Sequence, residues 1–326
     1  MYRNISCTSA KIEKKPACHW PDAEKYMRRC LELAEKGQGK VAPNPLVGAV
    51  IVCNGKIIGE GYHRKYGEAH AEVNAIHAVK NEELWKDSTL YVNLEPCSHY
   101  GKTPPCVDLI IEKQIPRVGV GQIDPFDQVS GKGIERLKNA GIEVKTGLLE
   151  ESCRQLNRRF LTFTEKKRPY ILLKWAQSAD GYLDKLREPG DGQAPERFSD
   201  DFTRMCVHKL RAEVSAIMVG TRTEVLDKPL LNVRYWSGND PIRIHADSSK
   251  TLSSLMQELH AQGIQSLMVE GGAKLLQSYI DENLWDEAGI EVSARELGKG
   301  VKAPAFSGTL ASVQKCKKSS ILLYKH

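Results

Sequence analysis

The chain has 326 residues, of which 41% are hydrophobic and 27% charged, with 47 Lys and Arg against 41 Asp and Glu. That length suits two domains of ordinary size, and the composition excludes a collagen-like or disordered polymer. The net charge of +6 is spread along the chain, so nucleic acid is not the expected partner. No apolar run reaches membrane-spanning length and no secretion-signal core opens the chain, so no membrane and a cytoplasmic location are expected. The nine cysteines then read as free thiols in a reducing compartment.

Residues 1–21 show no period and read as an extension. Asp22 stands where it would cap a helix over about 23–36 that Gly37 ends. Residues 46–52 and 56–62 flank Asn54-Gly55, the pattern of a tight hairpin. Residues 69–80 read as a helix, 89–94 as a buried strand, 104–114 as a helix entered through prolines, and 117–122 as a strand. Residues 131–144 read as helix, glycine stop and strand, and a helix over about 149–163 closes the unit. The polar run 165–169 reads as a linker. Beyond it, 169–176, 214–220, 241–246 and 264–270 are strand-like, 201–211, 251–262 and 272–282 helical, and 187–201 a loop. Helices alternating with short apolar strands predict α/β layers in both halves.

Three short segments carry chemistry. His70-Ala71-Glu72 opens a helix, Glu95-Pro96-Cys97 follows a strand, and Pro105-Cys106 opens the next helix. His70, Cys97 and Cys106 are the borderline and soft donors that zinc takes, and three protein ligands leave a fourth position for water. Zinc lowers the pKa of that water to about 7. Glu72, two residues from His70, is set to move protons without ligating. His99 is expected to face substrate or solvent. An H-x-E followed by P-C-x-x-C is the mark of zinc deaminases, although here eight residues separate the two cysteines. The alternatives are a structural zinc, as in a nucleic-acid-binding module held together by metal, or two buried cysteines.

The runs Ala42-Pro43-Asn44-Pro45-Leu46-Val47-Gly48, His70-Ala71-Glu72 and 95–106 closely resemble the bifunctional riboflavin-biosynthesis deaminase/reductase family, and the resemblance extends from about residue 22 to the C-terminus. It implies an N-terminal cytidine-deaminase-like three-layer α/β domain at 22–147, a connecting helix and linker at 148–168, and a C-terminal dihydrofolate-reductase-like domain at 169–326. It also implies zinc-dependent hydrolytic deamination of 2,5-diamino-6-(5-phosphoribosylamino)pyrimidin-4(3H)-one, followed by NADPH-dependent reduction of the ribosyl group to ribityl. The partner is then a phosphorylated pyrimidine, and the protein a homo-oligomer. By the same resemblance Asn44 meets the pyrimidine, and His63, Lys102 and Thr103 meet base or phosphate. The rival is a zinc deaminase of another base whose C-terminal half only binds; the long loop between the cysteines speaks against it.

The second half has no G-x-G-x-x-G. Its run 269–276 takes a strand through Gly271-Gly272 into a helix, which suits a phosphate or is a plain strand-to-helix turn. The resemblance implies that Ala176, Ser199, Thr223, Asp227, Ser248, Gly272, Ala273, Lys274, Leu275, Leu276, Gln277 and Ser278 line an NADPH site. It implies that Arg211, Leu231, Arg234 and Glu270 hold the reductase substrate, two arginine forks suiting a phosphate. Ser199 lies in a stretch, 197–200, that departs from the family motif. After 241–246 the chain passes almost directly to a helix where the family has a further strand. The reductase domain is therefore expected to be shortened after about residue 248, to lack a strand and part of the cofactor wall, and to lose reduction before deamination.

Overall fold

A computed structural model describes residues 20, 22–100, 104–126, 130–247 and 249–326. In the first half the chain runs α1 (Ala23–Glu35), β1 (Gly48–Cys53), β2 (Lys56–Tyr62), α2 (Ala71–His77), a 3-10 turn at Glu82–Asp87, β3 (Ser88–Leu94), α3 (Cys106–Glu112), β4 (Arg117–Gln122), α4 (Lys132–Asn139), β5 (Glu143–Lys145), α5 (Glu150–Leu156) and α6 (Arg158–Lys166). The strands form one sheet in the order β2-β1-β3-β4-β5. β1 runs antiparallel to β2 and β3; the rest of the sheet is parallel. β1 is buried on both faces, so it reads as an unbroken apolar run. Its Ala49 and Ile51 face Ala75, Ile110 and Leu137 of α2, α3 and α4, while Val50 and Val52 face Met27 and Cys30 of α1.

The hairpin turn is as the sequence reads it: Asn54 (φ 49) and Gly55 (φ 74) both take the left-handed conformation that a two-residue turn demands. Asp22 is a correction. It stands at the start of α1, where its backbone carbonyl accepts from Tyr26 N (3.2 Å), but it lies at φ 57 and its side chain caps nothing. The single helix expected over 149–163 is also corrected. It is two helices broken at Asn157, whose side chain turns inward to accept from Leu46 N (2.8 Å) and donate to Leu46 O (3.0 Å). The expected linker is likewise tied down, because α6 runs through it to Lys166 and Arg168 grips Asp286 with both terminal nitrogens (2.6 and 2.9 Å).

The second half comprises β6 (Tyr170–Gln177), β7 (Tyr182–Asp184), α7 (Asp201–Glu213), β8 (Ala216–Val219), α8 (Thr221–Asp227), β9 (Ile242–His245), α9 (Leu252–Ala261), β10 (Ser266–Glu270), α10 (Ala273–Asp281), β11 (Glu287–Ser293), β12 (Val301–Lys302), β13 (Thr309–Lys315) and β14 (Ser319–Lys325). Seven strands form a sheet in the order β13-β14-β11-β6-β10-β8-β9, and β7 pairs with β12 apart from it. One face packs Leu173, Val269 and Ile290 against α9 and α10; the other packs Ile217 and Met268 against Val207 of α7. Two α/β three-layer units result. Among the described residues β9 is the edge, its Ile242 is 55% exposed, and the chain goes from it to α9.

α8, β7 and β11 to β14 carry no clear signal in the sequence. β11 buries Glu287 and Glu291, which break its apolar pattern. Tyr170 Oη satisfies the first (2.7 Å), and the Ser199 and Ser319 hydroxyls satisfy the second (2.5 and 3.0 Å). β13 is exposed along its length.

Asp286 links the starts of β6 and β11, accepting from Arg168 and from Ile171 N (2.9 Å). Burial alone would raise its pKa. The Arg168 and Ile171 bonds outweigh that and hold it below the ordinary 3.8. Such a carboxylate adds stability above its unfolded pKa and loses it as pH falls through the lower, folded value. Asp286→Ala is expected to cost about 3 kcal/mol in urea unfolding at pH 7. The gap from wild type is expected to shrink as the pH is lowered below about 4; a gap independent of acid would refute this account.

Candidate active sites

The His70 backbone precedes α2 at φ −69, ψ 165, and α3 begins with Cys106 behind Pro105. Two helix starts and the segment after β3 therefore converge. His70 Nδ1 lies 3.3 Å from Cys106 Sγ and 3.5 Å from Cys97 Sγ, and the three ligand atoms all lie within 4.8 Å of one another. A tetrahedral zinc with Zn–S of about 2.3 Å and Zn–N of about 2.0 Å sets its donors about 3.5 Å apart. The donor set fits that ion. Cys106 and His70 hydrogen bonds pull the Cys97 thiol down to about 4, toward the thiolate that binds metal. Glu72 is buried beside them, and burial pushes its carboxyl up to about 7.

α2 reaches this position because β2 offers glycine beneath it. A Cβ on Gly61 would stand 2.3 Å from Ala75 N and 2.4 Å from Ala71 O. The segment bearing Cys97 is fixed by Glu95, whose buried carboxylate accepts from Asp124 N (3.2 Å), Gly131 N (3.0 Å), Gly133 N (2.9 Å) and Ile134 N (3.3 Å). The sequence shows Glu95 only as part of a motif; its anchoring role is visible in space alone.

A cavity of about 290 Å³ opens on His70 and Cys97 and is lined also by Asn44, His63, Glu72 and His99. Burial lowers the His63 pKa, leaving the ring neutral. Its Nδ1 donates to Ala69 O (3.1 Å), so Nε2 accepts from Asn44 Nδ2 (3.1 Å). That leaves Asn44 Oδ1 and one amide hydrogen for a ligand. His99 faces this cavity, as expected. Lys102 and Thr103 lie outside the described residues.

A second cavity, about 570 Å³, lies at the carboxyl ends of β6 and β10. It brings Arg211, Leu231, Arg234 and Glu270 together with Ala176, Ser199 and Asp227. Glu270 Oε2 accepts from Arg211 Nε (3.0 Å) and Nη2 (2.7 Å), and Lys174 Nζ stands 3.8 Å from its other oxygen. Asp227 pairs with the buried Arg187 (2.6 Å), a partner with no sequence signal. Ser199 is spoken for by Glu291.

The seven-residue stretch 272–278 is corrected in part, since one helix cannot turn every side chain to one ligand. Leu276 is fully buried in the core, and Leu275 packs against the same cluster. The Ser278 hydroxyl donates to Leu275 O (2.8 Å), and Gln277 bonds Asp281 and Ala305. Gly272, Ala273 and Lys274 stand at the helix start. Gly271 (φ 91) and Gly272 (φ 84) turn the chain there, and a Cβ on Gly272 would stand 3.3 Å from Thr223 Oγ1. A glycine cradle ahead of a nine-residue helix suits a dinucleotide phosphate, so these residues fit NADPH. Ser248 lies outside the described residues.

Comparison with known proteins bears on both halves. The cytidine and deoxycytidylate deaminase zinc-binding region matches residues 21–122, and the RibD C-terminal domain matches 169–254 and 249–324. The riboflavin biosynthesis protein RibD of Aquifex aeolicus is 38% identical over 320 residues, covering 85% of this chain and 88% of that protein. The chain belongs to the RibD family. RibD of Escherichia coli is 34% identical over 86% of this chain and 89% of its own. A Thermotoga maritima deaminase/reductase superimposes with a TM-score of 0.84 at 34% identity, over 94% of this chain and 99% of that one. As a RibD-family protein the chain is a bifunctional enzyme of riboflavin biosynthesis, a zinc deaminase joined to an NADPH-dependent reductase. The RibD C-terminal match falls in two segments that overlap at residues 249–254, after β9. Among the described residues no helix is long and apolar enough to cross a membrane.

Gly61→Ala is expected to push the start of α2 off β2 and carry His70 and Glu72 with it. Elemental analysis is expected to find well under one zinc per chain, with NADPH binding unchanged. A full zinc complement would show that the strand tolerates the methyl.

Proposed function

We propose that His70, Cys97 and Cys106 hold the zinc and Glu72 carries the proton in hydrolytic deamination of 2,5-diamino-6-(5-phosphoribosylamino)pyrimidin-4(3H)-one. The observation that carries this reading is the buried Glu72 carboxyl beside three converging donors, in a cavity shared with Asn44. Bound zinc supplies a Lewis acid that makes water nucleophilic near neutral pH. Glu72, with its carboxyl raised to about 7, is placed to accept a proton from the attacking water and would donate it to the leaving amine. Asn44, oriented by neutral His63, offers an acceptor and a donor to the ring. Lys102 and Thr103 belong to the same proposed set by resemblance.

The second cavity takes the deaminated product and reduces its ribosyl group. NADPH supplies the hydride. Thr223, Asp227, Ala176 and the helix start at 272–274 hold the cofactor, while Arg211, Leu231, Arg234 and Glu270 hold the substrate. The proposed units are 22–147 for deamination, 148–168 as connector and 169–326 for reduction. The resemblance also supports a cytoplasmic homo-oligomer, which sedimentation velocity tests.

The deciding experiment is mass spectrometry of the products made from the diaminopyrimidine ribotide with NADPH present. A deaminated and reduced product is expected. A product that stops at deamination would remove the reductase assignment, and unchanged substrate from zinc-loaded protein would remove the deaminase assignment. Glu72→Gln is expected to keep fold and zinc while lowering deamination roughly 1000-fold. Cys97→Ser is expected to lose zinc, and full occupancy would overturn that ligand assignment.

A further inference from the structure

A cleft of about 1050 Å³ lies where the two halves meet, apart from both active-site cavities. The first half gives it Lys36 and Lys40, beyond α1, and Lys65, beyond β2; the second gives it Lys209 of α7 and Trp236. Part of its wall is bare backbone. Gly39 (φ 74) and Gly238 (φ 148) both close on Ala212, where an added Cβ would stand 3.1 Å from Ala212 O and 2.6 Å from Ala212 Cβ respectively. Side chains at those two positions would wedge the halves apart.

The cleft is positive, and its charge is largely uncompensated. Arg158 is paired with Glu287 (3.4 Å). Of the two carboxylates in the lining, Glu213 is paired with Arg159 (3.6 Å), which leaves Glu35. Among the described residues no carboxylate stands within ion-pair distance of Lys36, Lys40, Lys65 or Lys209. All four lysines are exposed, and Lys209 Nζ lies over the Trp236 ring at 5.6 Å. Lysine is a hydrated point charge on a flexible stem, without the planar fork that fixes an anion in one pose. A row of lysines therefore attracts an anion without locking it. Between low-dielectric walls their field is focused along the cleft.

The two sides of the cleft adjoin the two active sites. Lys65 precedes Tyr66, which lines the zinc-side cavity, and the Tyr66 N–H donates to Lys40 O (3.1 Å), so both lysine segments are tied to that cavity. On the other side Trp236 follows Tyr235 and Ala212 follows Arg211, and Tyr235 and Arg211 line the second cavity. The molecule that the first reaction makes and the second consumes keeps a phosphate monoester, a dianion that neither step alters. We infer that this cleft is a transit surface. It holds the deaminated ribotide near the protein as it leaves the zinc-side cavity and passes it to the second cavity ahead of mixing with solvent. The lysines take no part in either reaction. This rests on the reading of the two cavities as successive active sites.

The test is isotope dilution with full-length zinc-loaded protein. Isotope-labelled diaminopyrimidine ribotide and NADPH are given together with a large excess of unlabelled 5-amino-6-(5-phosphoribosylamino)uracil. Mass spectrometry reads the labelled share of the first ribityl product, and the two pools fix the share that free mixing would give. At about 10 mM salt, where charges act over about 30 Å, wild type is expected to exceed the free-mixing share roughly tenfold. At about 1 M salt, where their reach is about 3 Å, it is expected to match it. Lys40→Gln, Lys65→Gln and Lys209→Gln combined are expected to bring the low-salt share down to free mixing, with kcat of each half-reaction assayed alone unchanged. A wild-type share equal to free mixing at low salt overturns the inference, and so does a variant that keeps the excess. A fall in kcat of either half-reaction places the lysines in that active site and overturns it too. The half-reactions also separate the two failures: wild type inactive in either removes the underlying reading, whereas two active halves with free mixing remove the transit alone.

Discussion

A buried carboxylate on which several donors converge organises each half of the molecule. In the first half it is Glu95, two residues ahead of Cys97, with four amides converging on it from residues 124–134. Each amide bonded to a charged acceptor contributes on the order of 1.5–3 kcal/mol net, and none is strong enough alone to fix a loop. Together they define where the chain leaves β3, and hence where a cysteine sulfur meets His70 and Cys106. In the second half Asp286 does the same for the starts of β6 and β11, with Arg168 as its cation. Both devices put the loss of chain entropy into scaffold rather than into the side chains that do chemistry.

The two cavities built on this scaffold differ in electrostatic character. The first presents neutral hydrogen-bonding groups, Asn44 and a deprotonated His63, around a soft donor triad. That suits a flat heterocycle whose amine must leave. The second is rimmed with guanidinium, part of it cancelled by Glu270 and part left open. That suits the phosphorylated end of a sugar. One molecule with a heterocycle and a phosphate can thus be gripped by different ends in the two halves.

Much of this is legible in the sequence because local rules and tertiary demands agree there. Asn54-Gly55 turns the hairpin, the apolar run of β1 announces burial on both faces, and His70, Glu72, Cys97 and Cys106 sit at element ends where backbone direction is fixed. Legibility fails where a polar side chain serves a distant partner. Asn157 breaks a helix to serve Leu46, and Glu287 and Glu291 hide β11 behind carboxylates that Tyr170 and Ser319 hydrogen-bond. It fails again where a stretch is treated as a unit: helical periodicity sends Leu276 to the core while its neighbours near residue 272 face outward.

The loop that carries Asn44 is held from both halves. Asn157 binds both backbone groups of Leu46, and Gln265 Nε2 donates to Pro43 O at 2.6 Å. Gln265 immediately precedes β10, a strand of five residues that ends in Glu270 inside the reductase cavity. A single short strand thus joins the Asn44 loop of the first half, through the residue just before it, to the second cavity, through its last residue. A fission of this chain into two separate enzymes would strip the deaminase of an anchor made by its fused neighbour, so the fusion is mechanical as well as genetic.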